Sequence, residues 1–156
     1  MSVDATLQLA IRHHQAGRLS EAEKHYRQVL AHAPDHVKAL NQLGVLMGQL
    51  GRLDESIDLL KHAAQLKPDF AEAHSNLGKA LGDRQRWDEA IEACNRAIAL
   101  KPGYAKAHYN LGVALVPTGR IEQARAAFAK AVELNPDYAN AHYNLGLAML
   151  LLGDLP

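Results

Sequence analysis

Pro34, Pro68, Pro102 and Pro136 stand 34 residues apart, and much of the chain repeats in step with them. The same interval separates Gly44, Gly78, Gly112 and Gly146, then Asn76, Asn110 and Asn144, then His74, His108 and His142. A fixed period of this length marks a chain built from one supersecondary unit that cannot bury its apolar face alone and stacks until it can. Stability in such an array is close to a sum over units and their interfaces, not the property of one core. The period therefore predicts a repeat architecture and disfavours most enzyme folds, while naming no ligand.

Counted from the third residue after each proline, full units run over 3–36, 37–70, 71–104 and 105–138. A fifth begins at Ala139 and reaches residue 156 barely past its first helix, so residues 1–156 read as a single array. Two helical stretches in each unit meet at Gly17, Gly51, Gln85, Gly119 or Gly153. Glycine there supplies the left-handed cap of a helix end. Ser20, Asp54 and Asp88 are expected to cap the second helices, Ser20 with Glu23 as a capping box. Each second helix closes before the proline, which disfavours helical geometry in the residue preceding it. Asp35, Asp69 and Asp137 follow the prolines and are expected to cap the next first helices, Asp69 in a box with Glu72, whereas Gly103 breaks that series.

Inside each unit the apolar and small residues recur at helical spacing. Leu9, Leu43, Leu77, Leu111 and Leu145 hold the seventh place, and Ala10, Gly44, Gly78, Gly112 and Gly146 the eighth. A glycine inside a helix costs about 1 kcal/mol against alanine, so four of them imply close helix approach. The matching small residues are Ala22, Ser56, Ala90 and Ala124. Tyr26, Leu60, Cys94 and Phe128, with Ala63, Ala97 and Ala131, complete a buried seam. Cys94 thus reads as a core residue, since an unpaired cysteine packs as a small hydrophobe.

Leu-Gly at seven and eight, alanine at twenty, an apolar residue at twenty-four, alanine at twenty-seven and proline at thirty-two resemble the tetratricopeptide repeat (TPR) over essentially the whole chain. The resemblance implies an all-α, right-handed TPR solenoid of four full helix-turn-helix repeats plus one extra helix. The fourth place departs from the family's frequent aromatic, with Thr6 and Leu40 and then His74, His108 and His142, and the eleventh, often tyrosine in the family, holds His13, Met47, Leu81, Leu115 and Met149. Pro117, in the last turn of a first helix, removes a backbone donor and predicts a local kink.

In the resembled family the first helices line a concave surface. The sixth place then carries an amide in every unit: Gln8, Gln42, Asn76, Asn110 and Asn144. A side-chain amide offers both donor and acceptor, so such a ladder can pair with an extended peptide regardless of its sequence. Lys79, Lys106, Tyr109 and Tyr143 flank the ladder as further candidate peptide contacts. Replacing Asn76, Asn110 and Asn144 by alanine is expected to abolish peptide capture and leave stability nearly intact. The three Ala-His-Ser/Tyr-Asn-Leu-Gly segments also look like the repeats preceding the catalytic region of O-GlcNAc transferases and their bacterial relatives, where asparagines at this place hold polypeptide substrates. That resemblance implies, as an alternative, the substrate-recognition arm of a longer glycosyltransferase-like protein whose catalytic domain is absent from this chain. The clamp for acidic chaperone tails is not matched, because Lys106 is alone among its basic anchors.

Seventeen Lys plus Arg balance seventeen Asp plus Glu, for a formal net charge of zero. Nucleic-acid binding usually rests on a basic excess, so neither nucleic acid nor an anionic membrane is an expected partner. No apolar run approaches membrane-spanning length, and the first residues lack a secretory pattern. A cytoplasmic location is the expectation. His74, His108 and His142, one per unit, are too widely spaced for a shared metal and are expected to pack between helices. No nucleophile has a recognisable base, so no catalysis and no cofactor are expected. Leu145, Leu147, Leu150, Leu151 and Leu152 crowd the helix expected from 139 to 152, and the expectation is either a natural protein that continues past Pro156 or self-association through this helix.

Overall fold

The computed structural model describes residues 1–153. Among them the chain is helical throughout, with no strand: α1 Val3–Gln15, α2 Leu19–His32, α3 Val37–Gln49, α4 Leu53–Leu66, α5 Ala71–Asp83, α6 Trp87–Leu100, α7 Ala105–Leu115, α8 Ile121–Leu134 and α9 Ala139–Leu152. This is the all-α repeat class expected. The helices group into two compact units, one over Met1–Asp69 with α1 to α4, the other beginning at Phe70 with α5 to α9.

The links within a hairpin follow from one cap geometry. Gly17, Gly51 and Gly119 have φ between 71° and 75°, and Gln85, the single non-glycine among the described residues with positive φ, has 62°. In the first hairpin the Gly17 amide donates to the His14 carbonyl and the Arg18 amide to the His13 carbonyl, at 3.0 and 2.9 Å. These two bonds form the Schellman motif, and the Gly51 and Gln85 links repeat it. Arg18, Arg52 and Arg86 are therefore the last residue of that motif and the N-cap of the next helix at once. The expected caps Ser20, Asp54 and Asp88 are corrected accordingly: each is the second residue inside its helix, where an acid can still favour the helix dipole.

The proline links differ from expectation for a similar reason. The His36, Tyr104 and Tyr138 amides donate to the Ala33, Lys101 and Asn135 carbonyls at 3.0–3.1 Å, closing turns with proline in the second place. The residue after proline is consumed by the turn. N-caps thus fall on His36, Phe70, Tyr104 and Tyr138, not on Asp35, Asp69 or Asp137. His36 supplies its own ring nitrogen to the Ala39 amide at 3.2 Å.

The seam predicted from the repeat is the packed core of each hairpin. Tyr26, Leu60, Cys94 and Phe128 are buried, as are Ala22, Ser56, Ala90 and Ala124. A Cβ on Gly44 would stand 2.7 Å from Leu60 Cγ, and one on Gly112 2.5 Å from Phe128 Cε1. Gly78 is closed off in the same way by the Cys94 sulfur. Gly146 has nothing within 4 Å of that point, because among the described residues no helix follows α9. Pro117 ends α7 at Leu115 and turns Val116–Thr118 into a single 3-10 turn, with the Thr118 hydroxyl donating to the Leu115 carbonyl at 2.7 Å. The kink is local, and α7 still packs on α8.

Candidate functional site

The candidate residues divide between the two units. In the first, Gln8 is exposed on α1 and Gln42 half-buried on α3. The remaining seven lie in the second unit, on α5, α7 and α9. Asn76 and Asn110 are buried and Asn144 is half-buried.

Helix packing gives these amides partners inside the protein. Asn110 Nδ2 donates to both the carbonyl and the hydroxyl oxygen of Ser75, at 3.2 Å each. A carbonyl can only accept, so the amide nitrogen must face Ser75 and the orientation is fixed. Asn144 Nδ2 donates to the Tyr109 hydroxyl at 3.3 Å. In both cases the bond joins one first helix to the residue 35 places earlier on the preceding first helix. The ladder is thus a set of interhelix ties as well as a surface. The bonds of Asn110 and Asn144 argue against the expectation that alanine there leaves stability nearly intact. Among the described residues the Asn110 carbonyl oxygen accepts no hydrogen bond.

Lys106 Nζ donates to Asn76 Oδ1 at 2.8 Å and has no carboxylate partner among the described residues. Burial first, then the Lys79 ammonium, pushes the Lys106 pKa below its ordinary 10.5. Lys79 is itself paired with Asp83 at 2.5 Å, one turn along α5. Tyr109 packs against Phe128 and Tyr138, with ring centroids 5.9 and 4.9 Å away. Tyr143, one unit on, is 69% exposed.

Between α5 and α7 these residues border a cleft of about 350 Å³, lined by Gly78, Lys79, Gly82, Trp87, Asn110 and Val113, with Tyr109 alongside. Gly82 and Trp87 escaped the sequence reading, in which Gln85 stood only as a link between paired helices. Their signal was a second glycine one helical turn after Gly78, followed by a tryptophan at the start of the paired helix.

Two of the histidines hold the turns before their helices. His108 Nε2 donates to the Pro102 carbonyl at 2.8 Å and His142 Nε2 to the Pro136 carbonyl at 2.7 Å. Each pins its helix to the proline turn that precedes it; His142 is exposed, so packing between helices is corrected for it, while His108 is half-buried beside Ile91, Ile98 and Leu111. No group of three or more potential metal ligands occurs among the described residues. The Cys94 thiol is pushed up to about 12 by burial, which removes it as a nucleophile near neutral pH.

No curated protein matches the sequence significantly. Solved structures do. A crystal structure of MamA shares 31% identity, covering 93% of this chain and 85% of that one with a TM-score of 0.80. MamA from Desulfovibrio magneticus RS-1 shares 23% over 97% of this chain and 86% of that one, with a TM-score of 0.83. TTC0263, a thermophilic TPR protein in Thermus thermophilus, shares 20% over 98% and 84%, with a TM-score of 0.86. Sequence profiles of the tetratricopeptide repeat match residues 13–80 and 49–96, and those of the TPR repeat match 79–119 and 114–153. With those matches, the paired helices, the glycine–seam contacts and the proline turns, the chain belongs to the tetratricopeptide repeat family.

Proposed function

We propose that this protein is a non-catalytic scaffold that holds an extended peptide segment of a partner protein against α5, α7 and α9. Tetratricopeptide repeats generally serve protein–protein interaction, and the finer reading rests on one observation. Asn110 has its amide nitrogen anchored on Ser75 and its carbonyl oxygen left without a partner among the described residues, beside the α5–α7 cleft. A fixed, unpaired acceptor is suited to a backbone N–H of an extended chain, which presents one to a given side at about every second residue. With its nitrogen already engaged, this amide serves a ligand as acceptor and not as donor. Lys79, Lys106, Tyr109 and Tyr143 flank it, and Gln8 and Gln42 continue the same repeat place in the first unit.

The test is peptide selection on the folded chain, followed by NMR titration of its side-chain amides. Peptide binding should shift the Asn110 and Asn144 side-chain signals. A ligand whose shifts all fall on α6 and α8, or the absence of any peptide ligand, removes the proposal.

The substrate-recognition arm of an O-GlcNAc transferase-like enzyme would use the same asparagines. A glycosyltransferase domain in the same reading frame would select that version.

The partner proposal includes self-association. On α9, Tyr143, Leu147, Leu150 and Leu151 are 69%, 42%, 60% and 65% exposed, a contiguous apolar face of the kind that marks an interaction surface.

A further inference from the structure

The α5–α7 cleft has walls of specific chemistry. On α5 it is bordered by Gly78, Lys79, Gly82 and Asp83, and a Cβ on Gly82 would meet only Trp87 at 3.7 Å and Ala90 at 4.0 Å. Trp87 and Tyr109 bring aromatic surface to it, and Val113 and Ala114 close the α7 side. Its volume of about 350 Å³ is more than twice the roughly 150 Å³ that holds a benzene in a protein interior. One phenyl or indole group fits, with aromatic partners in reach of offset or edge-on contact. The charges beside it are matched differently. Asp83 is answered by Lys79, whereas the half-buried Lys106 ammonium has an amide oxygen and, among the described residues, no carboxylate.

Lys106, Asn110 and Val113 succeed one another on one face of α7, one and two turns apart. With about 5.4 Å per turn, one to two turns of α7 from Lys106 to Asn110 and Val113 span about the length of two or three extended residues at about 3.3 Å each. We propose that cleft and ammonium act together as a specificity site. They select a peptide with an aromatic side chain for the cleft and an acidic side chain, two or three residues away, for Lys106. The inference rests on the peptide reading above and adds the class of sequence recognised. A basic residue in the acidic place would meet Lys106 and Lys79 and be rejected.

Fluorescence anisotropy on the full chain tests this with N-acetylated, C-amidated dodecapeptides. Each carries one phenylalanine and one glutamate, at every separation, in a Ser/Thr/Ala background. Blocked ends ensure that any acid preference comes from the side chain. Peptides with the two residues two or three apart should bind at least ten-fold more tightly than versions with serine for phenylalanine or lysine for glutamate. Lys106→Met should erase the preference for glutamate and keep that for phenylalanine, and Lys106→Arg should keep both. Val113→Glu, at an exposed position, should erase the phenylalanine preference. Circular dichroism establishes that each variant is folded. Tight binding that ignores phenylalanine, glutamate and these variants overturns the specificity site and leaves the peptide reading standing. Failure of every peptide to bind overturns both.

Discussion

Asn110 and Ser75 lie 35 residues apart and are joined by two hydrogen bonds, both from the same amide nitrogen. The amide that would meet a ligand is thereby also a tie between consecutive first helices. Asn110→Ala leaves the Ser75 oxygens without this buried donor, and a lost buried hydrogen bond is worth about 1–2 kcal/mol. The variant should unfold at lower urea concentration by that amount. Asn144→Ala, losing a longer bond in a less buried setting, should fall less. Equal stability of Asn110→Ala and the unaltered protein would show that the tie contributes nothing.

Glycines in the eighth place have opposite fates according to what faces them. A methyl at Gly112 would press on the Phe128 ring, and overpacking of this kind costs about 1–3 kcal/mol. At Gly146 a methyl meets open space, so Gly146→Ala should gain about 0.5–1 kcal/mol from helix preference alone. Thermal melts of the two variants should move in opposite directions. A matching shift in both would contradict the packing assigned to Phe128.

In the first unit Arg27 and Arg52 each pair with both Glu23 and Glu55, at 2.5–2.8 Å, and so stitch α2 to α4. The hydrogen bond from Arg27, reinforced by Arg52 and opposed by burial, holds the Glu23 carboxyl below its ordinary 4.5. A depressed carboxylate contributes stability above its unfolded pKa and loses it as pH falls through the folded value. Stability should therefore decline from about pH 5 downwards, and Glu23→Gln should flatten that decline. High salt should weaken the contribution, since the arginines are near half exposure. A pH profile unchanged by Glu23→Gln would exclude Glu23 from acid sensitivity.

The apolar face of α9 predicts concentration-dependent association of this chain. Burying one leucine is worth about 1.5–3 kcal/mol, and three are well exposed on this helix. Light scattering should show a rising mass with concentration, reduced by Leu147→Glu or Leu151→Glu. A monomer at every concentration, indifferent to both changes, would show that the face is tolerated in water.

Much of the fold was legible from the 34-residue period alone. Proline turns, left-handed links and the glycine-to-seam packing depend on local sterics and on helical spacing, and both are written in residue order. Gln85 adopts the same link conformation as the glycines around it, with φ 62°, because the hairpin demands it. What the order of residues could not supply was the direction of polar side chains. Ser20 and Asp137 read as caps from composition, yet two-residue links and closed turns had already used the positions they needed. The partner of Asn110 is Ser75 and that of His108 is the Pro102 carbonyl, choices made by how neighbouring helices and turns approach each other. The cleft beside Trp87 likewise forms where α5 and α7 bring Lys79, Gly82, Asn110 and Val113 to one place. Local propensity determined the helices and their ends, while the placement of hydrogen-bond partners and empty space came only with tertiary packing, because both depend on distances between residues far apart in the chain.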